Sequence, residues 1–291
     1  FIQTLLANRR QSKTSVYFYI KMRKKLKNIR KKTIQDFGNQ WKIHGEIKKN
    51  FWSSKLMFKD HFGKLFNPIK IKNKNICEIG SGSGRILSMI LNYNPKLLYA
   101  VEPSISGYKK IQKNLNNFKN LKIINKSGEK FKVSKKFDYI FSIGVLHHII
   151  NPSDVIKNAR KHLKKNGSFL IWVYGYENNK LYLTMYNFLC IITKILPDKL
   201  LDILSSILNY IIEPYIYLCS FINLPLKNYL INVFSKCGWK ERKYIIFDQL
   251  NPEYAKYYKR EELKQLLMKN GFNKLEFYHR HKYSWTVKAK K

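Results

Sequence analysis

Cysteine is scarce in this chain. Cys77, Cys190, Cys219 and Cys237 are the only four in 291 residues. They form no CxxC pair, and no histidines cluster at metal-ligand spacing. That excludes a disulfide framework and a structural zinc site, and no metal is expected; it fits a reducing cytoplasm. Acidic residues are also few, 18 against 56 basic ones, for a formal net charge of +38. Arginine is scarcer still, nine beside 47 lysines. Base-reading and bidentate phosphate contacts favour Arg, and here the lysines are scattered along the whole chain. The excess therefore reads as a drift in amino-acid usage, with no specific nucleic-acid partner expected, although it attracts anionic membranes and polyanions non-specifically. No apolar run reaches the roughly 18 residues of a membrane span. The opening lacks the apolar core and small-residue cleavage site of a signal peptide.

What is present suits a globular enzyme. Hydrophobic residues make up 45% and aromatics 15%, enough for a sizeable core. Residues 1–33 are basic and lack a core pattern, with eight basic residues between Lys21 and Lys32, and read as a disordered, solvated arm. Met22 offers a natural-looking start, so the first 21 residues are expected to be either upstream translation or the edge of a fragment. Residues 34–68 carry Phe37, Trp41, Phe51, Trp52, Phe58, Phe62 and Phe66 at roughly helical spacing, which predicts helices ahead of the core. Short apolar runs then follow at Ile76–Ile79, Leu97–Val101, Leu121–Ile124, Phe137–Leu146 and Ser168–Tyr174. Helical stretches separate them, such as the one from Pro152 to Lys165, opened by Asn151 and closed by Gly167. Strand–helix alternation predicts an α/β fold: a Rossmann-like, mostly parallel sheet of seven strands with helices on both faces. Ligands of such sheets lie at the carboxyl ends of the strands.

The first strand ends in Glu78-Ile79-Gly80-Ser81-Gly82-Ser83-Gly84-Arg85. Glycines at alternate positions let the backbone turn tightly and approach a ligand. The third glycine falls one residue too early for a dinucleotide fingerprint. Glu102 follows the second strand 22 residues after Gly80, where a carboxylate can accept hydrogen bonds from both ribose hydroxyls.

The GxGxG loop behind an acidic residue resembles motif I of class I S-adenosylmethionine-dependent methyltransferases. Phe137-Asp138 leading through an apolar strand to Leu146-His147-His148 resembles the small-molecule members of that family. The Asn/Asp-Pro-Pro-Tyr signature of enzymes that methylate amino groups of bases or glutamine is absent. Residues 172–179 and 247–254 fit a bacterial subgroup linked to envelope and secondary-metabolite chemistry. The resemblance spans residues 34–291 and is strongest over 76–175. It implies S-adenosyl-L-methionine as cofactor, held by Glu78, Gly80, Ser81, Gly82, Gly84, Glu102 and Gly144. Ser127, Gly128 and Glu129 occupy the adenine position, where the family often has Asp-Ala. His147 and His148 are the candidate catalytic bases. Tyr174, Tyr176 and Asp248, the last on a loop folding over the pocket, are candidate substrate contacts.

Residues 69–180 then form the cofactor-binding core. Residues 181–240 form an apolar helical insertion, a cap or a lid, and residues 241–291 return to the core through a helix at Arg260–Asn270 and two strands near Lys274–Arg280 and Tyr283–Ala289. The expected enzyme methylates a small-molecule or lipid- or sugar-linked acceptor, in the cytoplasm or at the periphery of a membrane with weak surface contact. The alternatives are an RNA or other polyanion methyltransferase and a non-catalytic protein that keeps the cofactor pocket. The first needs a localised basic groove; the second is disfavoured by the intact Glu78, glycine loop and Glu102.

Overall fold

A computed structural model describes residues 13–291. The helices are α1 (Lys13–His44), α2 (Lys55–Phe62), α3 (Arg85–Leu91), α4 (Ile105–Asn114), α5 (Ser153–His162), α6 (Lys180–Thr193), α7 (Asp198–Phe221), α8 (Lys227–Asn232), α9 (Trp239–Leu250) and α10 (Arg260–Lys269). The strands are β1 (Asn75–Ile79), β2 (Leu97–Val101), β3 (Leu121–Ile124), β4 (Phe137–Ile143), β5 (Leu163–Tyr174), β6 (Lys274–Arg280) and β7 (Ser284–Lys290). They make one seven-stranded sheet in the order β3-β2-β1-β4-β5-β7-β6. The first five are parallel, and β7 runs antiparallel to both β5 and β6. The strand order reverses between β1 and β4, and ligands of open α/β sheets bind at that switch point.

Both sheet faces are covered, as an all-buried parallel sheet requires. On one face Ile76, Leu98, Phe141 and Leu170 pack with Phe58 and Phe62 of α2 and Leu87 and Ile90 of α3. On the other, Ile79, Val101, Ile140 and Ile171 pack with Val155 and Ile156 of α5 and Leu263 and Leu267 of α10. Burying strands on both sides removes the polar alternation, so they appear in the sequence as continuous apolar runs.

Two local expectations change. The helix predicted to reach Lys165 stops at His162, because Leu163 takes extended angles and pairs with Phe137. Gly167 then lies within β5, where a Cβ would meet the Phe137 carbonyl at 2.9 Å. The basic arm is not unstructured where it is described. Residues 1–12 lie outside the described residues, but α1 runs from Lys13 through the whole lysine-rich stretch. Met22, Leu26, Ile29, Thr33 and Phe37 share one face of it at helical spacing, and that face packs inward while the lysines face water.

All four cysteines are buried and free. No group of metal-ligating side chains occurs among the described residues, and no described helix is long and apolar enough to cross a membrane.

Candidate functional site

β1 delivers the chain into the loop Gly80–Gly84. Gly80, Gly82 and Gly84 hold φ of +77°, +55° and +93°, a region that residues with side chains rarely adopt. Crowding adds to the constraint: a Cβ on Gly80 would lie 2.5 Å from Val145, and one on Gly82 would lie 2.7 Å from the indole of Trp41. The loop is tied to the end of β2. The amides of Gly80 and Ser81 donate to the Val101 carbonyl at 2.7 and 3.2 Å, and the amide of Gly82 donates to Glu102 Oε2 at 2.8 Å. Glu102 Oε1 accepts from the Ser104 amide and hydroxyl at 2.9 and 2.7 Å. Burial raises the Glu102 pKa, and these three hydrogen bonds oppose it.

Glu78 lies beneath the same loop. Its Oε2 is buried and has no partner among the described residues. Burial pushes its carboxyl up to about 8, against the pull of Ser81 and Arg85, so at neutral pH the group is largely protonated. An unpartnered buried oxygen of this kind calls for a ligand or an exchanging proton.

Two cavities open on either side of the loop. The first, about 390 Å³, is bounded by Glu78, Ser81, Arg85, Trp172, Tyr174 and Asp248 among others. The second, about 380 Å³, is bounded by Glu102, Ser127, Gly128, Glu129, Val145 and His148. Gly80, Gly82, Gly144, Phe37 and Trp41 line both. The two spaces therefore meet at the glycine loop, against the inward face of α1.

Helix α1 is fastened across this junction. Arg30 pairs with Glu129, and Lys32 pairs with Asp36 and Glu253 at 3.5 and 3.1 Å. The Phe37 ring meets His148 edge-on at 4.8 Å. Gln40 is fully buried and its Nε2 donates to the Tyr244 hydroxyl at 3.0 Å and to Asp248. The sequence reading placed none of Arg30, Gln40 and Trp41 at the site. The sequence does show Phe37 and Trp41 at helical spacing, and Gln40 falls on the same face.

The residues expected at the site divide between the chambers. Glu78, Ser81, Tyr174 and Asp248 line the first; Glu102, Ser127, Gly128, Glu129 and His148 line the second; Gly80, Gly82 and Gly144 line both. Gly84 lines neither and caps the start of α3. Tyr176 also lines neither. Its amide donates to the Tyr258 carbonyl and the Lys259 ammonium stands 5.2 Å over its ring. Asp248 is not on a loop: it sits on α9, half-buried at the wall of the first cavity, and desolvation raises its pKa against Gln40, Arg85 and Tyr244.

The two histidines differ in place. His147 lines neither cavity and is fully buried. Neither of its ring nitrogens has a partner among the described residues, its ring lies 3.9 Å from Tyr174 and 4.1 Å from His148, and burial lowers its pKa well below the usual imidazole range. His148 Nδ1 meets the Tyr254 carbonyl at 2.8 Å, so the neutral ring carries its proton there. Burial pushes its pKa down to about 4. His148 thus faces the chamber that holds Glu102, and not the one that holds Asp248 and Tyr174.

The insertion contributes unequally. Its Tyr229 of α8, Val233 and Lys240 wall the first cavity, joined by Glu241, Tyr244 and Ile245 farther along α9, whereas α6 and α7 line neither. Two arginines complete that wall. Arg85 stacks on Trp52 with 4.2 Å from guanidinium to ring and donates to its carbonyl at 2.9 Å. Arg280, fully buried, is held by Asp60.

Residues 53–209 match the model of a methyltransferase domain. Among curated proteins, the chain is 26% identical over 104 residues to the tRNA U34 carboxymethyltransferase of Glaesserella parasuis serovar 5, covering 35% of this chain and 32% of that one. It thus spans about a third of the length of the curated relatives it matches. Among solved structures, it is similar to an S-adenosylmethionine-dependent methyltransferase from Aquifex aeolicus (TM-score 0.44, 12% identity, 80% of this chain and 92% of that one). It is also similar to the magnesium protoporphyrin IX methyltransferase of Synechocystis PCC 6803 with bound S-adenosylhomocysteine (TM-score 0.43, 12% identity, 76% and 75%).

Proposed function

This chain belongs to the methyltransferase-domain family, its cofactor is S-adenosylmethionine, and from that premise we propose that it methylates a small or lipid-linked acceptor held in the first cavity. One observation carries the proposal: the glycine loop divides a single cleft into a chamber with the Glu102 carboxylate and a chamber with Asp248, joined only where Gly80, Gly82 and Gly144 leave room.

The second chamber fits a nucleoside. Glu102 stands where ribose hydroxyls need an acceptor, Gly128 offers backbone to a ring edge, and Ile79, Val145, Ile149 and Val155 give apolar walls for a flat base. The unpartnered Oε2 of Glu78 suits the amino group at the other end of the cofactor. The bound cofactor supplies a methyl group already activated on a sulfonium. The protein's share is alignment and exclusion of water. Trp41 and Phe37 close the junction from above, and Asp248, held by Gln40 and Tyr244, takes the proton of an acceptor oxygen or nitrogen. His147 packs behind the junction and His148 lines the nucleoside chamber, both as framing residues. The aromatic wall of Trp172, Tyr174, Tyr229 and Tyr283, with Arg85 and Arg280, favours an acceptor with a flat or apolar body and a polar or anionic group.

A nucleic-acid acceptor is the second reading. It draws on the likeness to tRNA U34 carboxymethyltransferases and on the lysines along the outer face of α1. The deciding experiment is transfer of a labelled methyl group into separated pools of quinols, phenolic acids, lipid-linked sugars and total tRNA. Label in a small-molecule or lipid pool supports the proposal, and label confined to tRNA overturns it.

A further inference from the structure

The outward faces of α6 and α7 run against the usual pattern. A surface helix of a globular protein turns its apolar stripe inward and its polar side to water. Helix α6 meets α9 through Tyr186 and Thr193, whose hydroxyls donate to the carbonyls of Gln249 and Leu250. The side turned away from α9 carries Leu181, Met185, Phe188 and Ile192, followed by Ile195 in the turn after the helix, at steps of four and three residues and 48% to 80% exposed. Helix α7 meets α9 through Asp202, which accepts from Lys243 at 2.6 Å, and Asn209, which donates to the Trp239 carbonyl at 3.1 Å. Its outward side carries Leu200, Ile203, Ile207, Tyr217 and Phe221, each half exposed or more, while Tyr210 rests its ring on Trp239 of α9. Neither stripe borders a cavity, so the site does not account for them. Exposed apolar surface this continuous marks an interaction face.

We propose that the outward stripes of α6 and α7 lie on the surface of an anionic lipid bilayer. Charge selects lipid over a second copy of the chain. Lys180, Lys194 and Lys199 stand at the two ends of α6 and the start of α7; all three are exposed and none has an ion-pair partner among the described residues. Of the three carboxylates of α7, Asp202 and Glu213 are already paired, with Lys243 and Arg242, which leaves Asp198 beside Lys199 against the three lysines. Two copies meeting on this face would bring the same lysines together, within molecules that each carry +38. Anionic headgroups instead neutralise them. Because no described helix is long and apolar enough to cross, the pair lies flat, apolar stripes in the headgroup–acyl boundary and lysines at the phosphate level. The docking stands whether or not the acceptor is itself a lipid.

The test is sedimentation of the full chain with vesicles of phosphatidylcholine alone and with vesicles that are roughly a quarter phosphatidylglycerol. The expected result is capture by the anionic vesicles, reduced at least about tenfold by the pair Phe188→Ser and Ile207→Ser. That variant should keep the melting temperature and the S-adenosylhomocysteine affinity of the parent. The pair Lys194→Gln and Lys199→Gln should leave binding at low salt and lose it at physiological salt. Failure of the parent chain to sediment with either vesicle overturns the proposal. So does equal sedimentation of the Ser variant, which would put the lipid contact on another basic face. A parent chain that runs as a dimer, and a Ser variant that runs as a monomer, would give the face to a second copy and likewise overturn it.

Discussion

The indole of Trp41 occupies the space that a side chain on Gly82 would need: a Cβ there would come within 2.7 Å of the ring. A residue from the lysine-rich first helix thus closes over the glycine loop at the boundary between the two chambers.

Trp41→Ala should therefore open that boundary. The expected outcome is a loss of S-adenosylhomocysteine affinity of about 1.4 kcal/mol, or tenfold, carried by faster dissociation in stopped-flow exchange. Unchanged dissociation would show that Trp41 covers the loop without retaining the ligand. Gly82→Ala should be worse, because it adds a clash with the indole to a φ of +55°.

Glu102→Ala should weaken cofactor binding by about 1–3 kcal/mol, the usual cost of losing a hydrogen bond to a charged group. The same change orphans the buried amides of Gly82 and Ser104, so the melting temperature should fall as well. Glu102→Gln keeps an acceptor and should lose less in both measurements. Equal affinity in all three proteins would remove Glu102 from the contact.

Asp248→Asn should lower turnover by a factor of about 10²–10⁴, the range of general-base catalysis, with cofactor affinity kept. His148→Ala, facing the other chamber, should change cofactor affinity more than the chemical step. The reverse pattern in single-turnover kinetics would return the proton to the histidine.

The pH dependence of stability has two limbs of opposite sign. His148 is neutral when folded, with its pKa lowered from 6.5 to about 4, so its contribution is complete above 6.5 and is lost as pH falls towards 4. Urea unfolding of the parent and of His148→Asn should show the parent losing about 2 kcal/mol relative to the variant between pH 7 and pH 5. Glu78 is raised from 4.5 to about 8, so its contribution is complete below 4.5 and is lost as pH rises through 8. Glu78→Gln should flatten that second limb, and parallel curves for parent and variant would refute the assignment.

The parallel part of the sheet was legible as short apolar runs, and β2, β3 and the antiparallel edge strand β6 have the limits that the sequence suggests; the class of enzyme followed from Glu78, the three glycines and Glu102. What escaped was carried by faces and not by runs. The inward face of α1 holds Phe37, Gln40 and Trp41, but the lysines between its upstream members mask the stripe, and a polar Gln40 breaks it where the site begins. Asp248 was expected on a loop, but α9 runs past it and ends only at Leu250, just before Asn251-Pro252. His147 sits beside His148 in a short 3-10 turn and Tyr176 lies two residues past the end of β5, where no strand or helix period says which way a side chain turns. No periodicity within one segment reveals which neighbour seals it.

The pairing of β5 has a consequence for how the chain is made. β5 is flanked by β4 on one side and by β7 on the other, and β7 begins at Ser284, far along the chain from Tyr174 where β5 ends. During synthesis the Phe169–Val173 edge must wait, unpaired, while the whole helical insertion leaves the ribosome. An open apolar strand edge is a template for wrong partners. Nascent chains halted anywhere between the insertion and the last hairpin should therefore be the ones that chaperones hold and proteases cut.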